Sequence, residues 1–120
     1  MKVDIRKYLE EGKEHIRRND PVQASEKLYK AAEEAVKVIS ETFAPELREE
    51  AMRKGRWTTT LLFKAVERAA DRVGEEIIHH WDTAWTLHVE GFHEARLDIN
   101  SVTRRVKQIE ALIRLAEGKR

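Results

Sequence analysis

The sequence predicts an all-α fold: an antiparallel up-and-down bundle of about five helices, with one additional short helix near residues 45–54. Three observations lead there. Apolar residues recur at three- and four-residue spacing along most of the chain and nowhere alternate as in a half-buried strand. Only two prolines and five glycines interrupt 120 residues. The connections between periodic stretches are short, which places successive helices side by side and antiparallel.

The first helix spans about residues 3–18, with Ile5, Tyr8, Leu9, Gly12 and Ile16 on one side, and Asn19 and Asp20 stop it. Asp20 then caps the second helix, followed by Pro21 at the first helical position and by Gln23, placed to close a capping box. The inward stripe of this helix is Ala24, Leu28, Ala31, Ala32, Ala35, Ile39 and Phe43. Its alanines let a neighbouring helix come close. Pro45 opens a short charged helix, PELREEAMRKG, whose Leu47, Ala51 and Met52 are placed to lid one end of the bundle.

Thr58, Thr59 and Thr60 supply hydroxyl caps for a third long helix, with Leu62, Ala65, Val66, Ala69 and Val73 inward. Gly74 ends it, and Glu75 and Glu76 suit the positive start of the next, although one kinked helix over 59–97 would account for the same residues. The final helix starts near Asn100 or Ser101, buries Val102, Val106, Ile109, Leu112, Ile113 and Ala116, and ends at Gly118. Residues 1–120 are expected to form a single domain, long enough to bury roughly two thirds of the surface of the unfolded chain.

Composition removes several function classes. Charged residues are 38% of the chain, yet 23 Lys and Arg against 22 Asp and Glu leave a net charge of +1, which gives no general attraction to nucleic acid or anionic membrane. Without cysteine there is no disulfide, thiolate zinc site or thiol nucleophile. Asn and Gln are scarce beside abundant Glu, Lys and Arg, which points to a thermophilic source. No apolar run reaches the roughly 20 residues of a membrane span, and MKVDIRKYLEEGKEH lacks the apolar stretch of a signal peptide, so a cytoplasmic location is expected. No Gly-rich phosphate loop and no Ser/His/Asp arrangement is found, and no cofactor is expected. The segment Arg53-Lys54-Gly55-Arg56-Trp57 joins positive charge to an aromatic, a pairing that can touch phosphate and stack a base, but it reads more simply as ordinary surface.

The chemistry worth sorting lies in residues 79–98, HHWDTAWTLHVEGFHEARLD, which hold four of the five histidines. At 100° per residue, Ile77, Trp81, Ala84, Trp85, His88, Gly91, Phe92 and Ala95 share one face. His79 lies nearly opposite, and His80 and His93 fall on different edges. No histidine pair has the spacing that brings two imidazoles to one metal. Glu76-x-x-His79 and Glu90-x-x-His93 copy a di-iron pattern, but both sit on one helix about 21 Å apart, so no metal is expected. His88 is the residue whose place needs explaining, because an imidazole in an apolar stripe must find a hydrogen bond. It is either a core histidine bonded to a backbone carbonyl, Tyr8 or Tyr29, or the polar anchor of a ligand pocket lined by Trp81, Trp85, His88 and Phe92.

The spacing of Trp57-Thr58-Thr59 and Leu61-Leu62, then Trp81, Ala84, Leu87-His88, Gly91-Phe92-His93-Glu94 and a closing Leu112-Ile113 resembles the archaeal PaREP family. QASEKLYKAAEEAVK is similar to that family's alanine-rich segment, and LHVEGFHEARLD is the most specific part of the match. The resemblance covers most of the chain. It implies a thermophilic archaeal source and a bundle similar to HEPN domains, which serve as nucleotidyltransferase partners or as ribonucleases. HEPN ribonucleases carry an Arg and a His with four to six residues between them, and Arg72 and His79, with six between, meet that spacing, although the polar residue that usually follows the Arg is Val73 here.

Three functions follow as expectations. The leading one is a non-catalytic bundle acting through a homo-oligomer or a protein partner. The alternatives are a metal-independent ribonuclease using Arg72 and His79, and a small-ligand bundle with its pocket around His88.

Overall fold

The computed structural model describes residues 4–118, all of them in helices and short connections. Val3, expected in the first helix, and Lys119 and Arg120 at the end of the expected domain lie outside the described residues. Local chemistry sets where each helix starts. The Asp4 carboxylate accepts from the Lys7 N–H at 3.0 Å and opens α1, Ile5–Arg17. Asp20 accepts from the Gln23 N–H at 3.1 Å and opens α2, Pro21–Phe43. The short helix α3, Pro45–Lys54, follows the buried Ala44 and ends at Gly55, which has φ +80°, while the Arg56 N–H donates to the Ala51 carbonyl. Thr58 Oγ1 accepts from the Leu61 N–H at 3.2 Å and opens α4, Thr59–Val73.

Gly74, at φ +106°, separates α4 from α5, Glu76–Thr86, so residues 59–97 are not one kinked helix. Beyond Thr86 the chain departs from the expected regular helix. Leu87–His93 is π-helical, and the helix ends there instead of reaching residue 97. The last helix, α6, Ile99–Ala116, starts one residue ahead of Asn100 and is capped by Asp98, whose carboxylate accepts from the Ser101 N–H at 2.8 Å.

The bundle is organised around α2, which packs against α1, α3, α4, α5, α6 and the π segment. Its composition makes this possible: Ala24, Ala31, Ala32 and Ala35 are fully buried, and a methyl group keeps a neighbouring backbone close where a larger side chain would hold it off. On the α1 side the same purpose is served by Gly12, where an added Cβ would lie 2.8 Å from Leu28 Cδ2. Ser25 and Ser40 are buried too, and their hydroxyls donate back to the Pro21 and Lys37 carbonyls at 2.7 and 2.6 Å. Leu9, Leu28, Ile109, Leu112 and Ile113 complete the centre with no exposed area. Met52 does not lid the bundle with Leu47 and Ala51, because its side chain lies in solvent at 65% exposure.

Ion pairs tie the outer surfaces together. Arg6 grips Glu117 with two hydrogen bonds of 2.9 Å, Lys13 meets Glu110 at 3.0 Å, and Arg68 pairs with Glu46. Exposed pairs of this kind are worth about 0–1 kcal/mol each, so apolar burial along α2 decides the fold.

The π segment is held at both ends. Gly91 is buried against α2, where an added Cβ would collide with Ser25 Oγ and lie 2.7 Å from Ser25 Cβ. At its exit the Glu94 N–H donates to the Val89 carbonyl five residues back (2.8 Å), and the Arg96 N–H donates to the Glu90 carbonyl (2.7 Å). The Arg96 guanidinium also donates to the Glu90 carboxylate at 2.8 Å. Between them Ala95 takes φ +54°, a left-handed conformation that costs a residue with a Cβ about 1–2 kcal/mol.

Gly91→Ala should therefore lower stability in urea unfolding by about 1–3 kcal/mol, the usual cost of overpacking. Adding Ser25→Ala should recover only part of that, because the Cβ at position 25 remains in the way. An unchanged midpoint for Gly91→Ala would contradict the close approach.

Candidate functional site

Two of the three Trp, one of the two Tyr and two of the three Phe residues of the chain gather at the junction of α2, α4, α5 and the π segment. Trp81, at the bottom, has no exposed area and meets Tyr29 and Phe63 with ring centroids 5.8 Å away in each case. Phe63 reaches on to Trp85 in an edge contact at 5.4 Å. Contacts of this geometry add about 0.5–1.5 kcal/mol each beyond area burial, so the cluster is a rigid wall.

His88 is the hub of its outer half. The imidazole stacks on Tyr29, with centroids 4.1 Å apart and planes 25° from parallel, and sits 5.2 Å from Trp85 and 6.5 Å from Phe92. It also meets the His93 ring edge-on at 4.5 Å. That last contact was missing from the sequence reading. Five residues on a regular helix turn through about 140°, which put His88 and His93 on different faces. A π turn closes after about five residues and brings them together.

Of the expected pocket residues, Trp85, His88 and Phe92 do form one ring-lined wall, and Trp81 joins it through Tyr29 and Phe63. Tyr29 touches His88 face to face, so it is a stacking partner and not the hydrogen-bonding partner that one reading of His88 offered. Among the described residues no group hydrogen-bonds His88 Nδ1, and Trp81 Nε1 is likewise buried without a partner. A buried polar atom left in that state costs about 1–3 kcal/mol. Sequence reasoning missed Phe63 and His93. Phe63 follows the Leu61-Leu62 pair and lies outside the α4 stripe, and the signal for His93 was its five-residue spacing from His88 around Gly91.

Arg72 and His79 flank the Gly74 break, and both are exposed. Among the described residues no hydrogen bond or ion pair joins them. No three His, Cys, Asp or Glu side chains converge as metal ligands among the described residues, and His79 and His93, the histidines of the two Glu-x-x-His copies, lie in solvent.

Burial holds the His88 imidazole below its ordinary value of 6.5, and the neighbouring His93 lowers it further against an upward pull from Glu26. Burial and Glu33 push the Tyr29 phenol up, so it stays protonated. A histidine with a lowered folded pKa takes its proton more readily in the unfolded chain. Its full contribution to stability is therefore present above about pH 6.5 and is lost as pH falls from there through the lowered folded value. Thermal midpoints taken at about pH 7.5 and pH 5 should fall more in the wild type than in His88→Gln. Equal falls would show that the imidazole is not desolvated.

The fold recurs in known structures. The structure is similar to a crystal structure of a protein from Sulfolobus solfataricus, with a TM-score of 0.88, 39% identity, and coverage of 98% of this chain and 97% of that one. A solution structure of the same structural-genomics target gives a TM-score of 0.83 and 39% identity over 97% of this chain and 90% of that one. No curated protein matches the chain. Among the described residues no helix is long and apolar enough to cross a membrane. The model of the archaeal PaREP1/PaREP8 family matches residues 3–113, nearly the whole chain, and the protein belongs to that family.

Proposed function

We propose that the protein is a non-catalytic helical module that acts by association, with the aromatic and histidine face on the π segment as its contact surface. The observation that carries this reading is the part-exposed row of Phe63, Trp85, His88 and Phe92 leading to the exposed His93. Aromatic side chains are enriched at the centres of protein contacts, where a ring adds large area at small entropic cost. A net charge of +1 gives two copies no electrostatic reason to stay apart, so the first partner to consider is a second copy of this chain. Such a contact would be isologous, with the ring face of one copy on that of the other.

A second reading, small-ligand binding, is favoured by the unpartnered Nδ1 of His88 inside a box of rings, where a ligand donor or acceptor would offset the cost of its burial. The ribonuclease reading has less support, because Arg72 and His79 are separately solvated and nothing orients either one.

Sedimentation equilibrium tests the association. Wild type should sediment as a dimer at tens of micromolar, and Phe92→Asp should weaken the dimer at least tenfold with helicity unchanged. A wild type that stays monomeric at millimolar concentration, or a Phe92→Asp dimer of equal strength, would overturn the self-association.

A further inference from the structure

A second site lies away from the rings, where the end of α4, the start of α5 and the end of α6 meet. A cleft of about 280 Å³ opens there, near the small end of ligand pockets, which run from about 300 to 1,000 Å³. Val73, Ile77 and Leu115 form its apolar walls, and Glu76, His80 and Arg114 supply its polar groups.

The polar groups are arranged to receive something. The Gln108 carbonyl oxygen faces His80 Nδ1 within hydrogen-bond distance, so Nδ1 carries the proton and donates. In the neutral ring this fixes Nε2 as an acceptor, and the ring orientation is held from behind, as in sites where a second residue sets the tautomer of a working histidine. Glu76 and Arg114 carry opposite charges on the same cleft. They are not paired with each other, and among the described residues neither has an ion-pair partner.

From this juxtaposition we propose that the cleft binds a small zwitterion with an aliphatic arm, an α-amino acid of about leucine's size. Its carboxylate meets the Arg114 guanidinium, and its ammonium donates to Glu76 and to His80 Nε2. The aliphatic arm lies on Val73, Ile77 and Leu115. Each feature selects: a carboxylate without the ammonium leaves Glu76 facing an apolar or negative group, and an amine without the carboxylate leaves Arg114 unmatched. The apolar walls favour a branched arm over a polar one.

The test is a titration of the isotope-labelled full chain, followed by amide NMR, with L-leucine, 4-methylpentanoate and 3-methylbutylamine. Leucine should give saturable shifts at Ile77, His80 and Ala111, and the two half-ligands should bind at least tenfold more weakly. Arg114→Gln and Glu76→Gln, both at exposed positions, should each weaken leucine at least tenfold while shifts elsewhere stay in place. The proposal fails if leucine gives no saturable shift, if either half-ligand binds as well as leucine, or if either variant binds leucine as well as wild type. The cleft is separate from the ring face, so failure here leaves the association reading untouched, and a monomeric protein could still bind leucine.

Discussion

The contact between Gly91 and Ser25 constrains more of this molecule than any other single approach. α2 is the axis of the bundle, and at Ser25 it comes so close to the chain after α5 that no Cβ fits. The Ser25 hydroxyl is turned back onto the Pro21 carbonyl, which leaves only a small, internally satisfied group facing Gly91. With Gly91 pinned there, the seven residues Leu87–His93 run as a π-helix, and the Glu90–Arg96 clasp and the left-handed Ala95 turn the chain toward α6. The register of the helix through His88 is therefore set by packing against α2, not by local propensity.

That register has a chemical consequence. It gathers Trp85, His88, Phe92 and His93 on the side that Tyr29 and Phe63 already occupy, so a continuous set of rings runs from the sealed Trp81 to the solvent at His93. The imidazole at its centre has its pKa lowered by burial and by a second imidazole, while its Nδ1 has no bond. A rigid ring wall with an unsatisfied polar atom suits recognition, because little conformational entropy is left to lose on contact. The cleft beside the Gly74 break offers different chemistry, a histidine hydrogen-bonded through Nδ1 with two unpaired charges on the same cleft.

Most of the scaffold was legible in the sequence because its signals are local. Asp20 followed by Pro21, Thr58 ahead of α4 and Gly74 at its end each act within one turn, and the alanine stripe of α2 names the central helix by its size pattern. The short helix at Pro45 was legible for the same reason, whereas the exposure of Met52 depends on which side α4 covers. The candidate site was half legible. Trp85, His88 and Phe92 are spaced so that regular and π geometry both keep them near one another, but His93 is placed by the five-residue turn alone. The one local sign of that turn is the five-residue spacing of His88 and His93 around Gly91, which does not by itself require the turn. Its cause is Ser25, more than sixty residues earlier, and a projection at 100° per residue cannot contain it.

The measurement closest to the centre of this account is the proton Overhauser contact between the His88 and His93 rings in the intact chain. With centroids 4.5 Å apart, the rings should give strong cross-peaks between their carbon-bound protons. A regular helix would separate the two side chains by about 140° around the axis and give no such signal. Cross-peaks would establish the π register on which the ring face depends, and their absence, with both rings assigned, would contradict it.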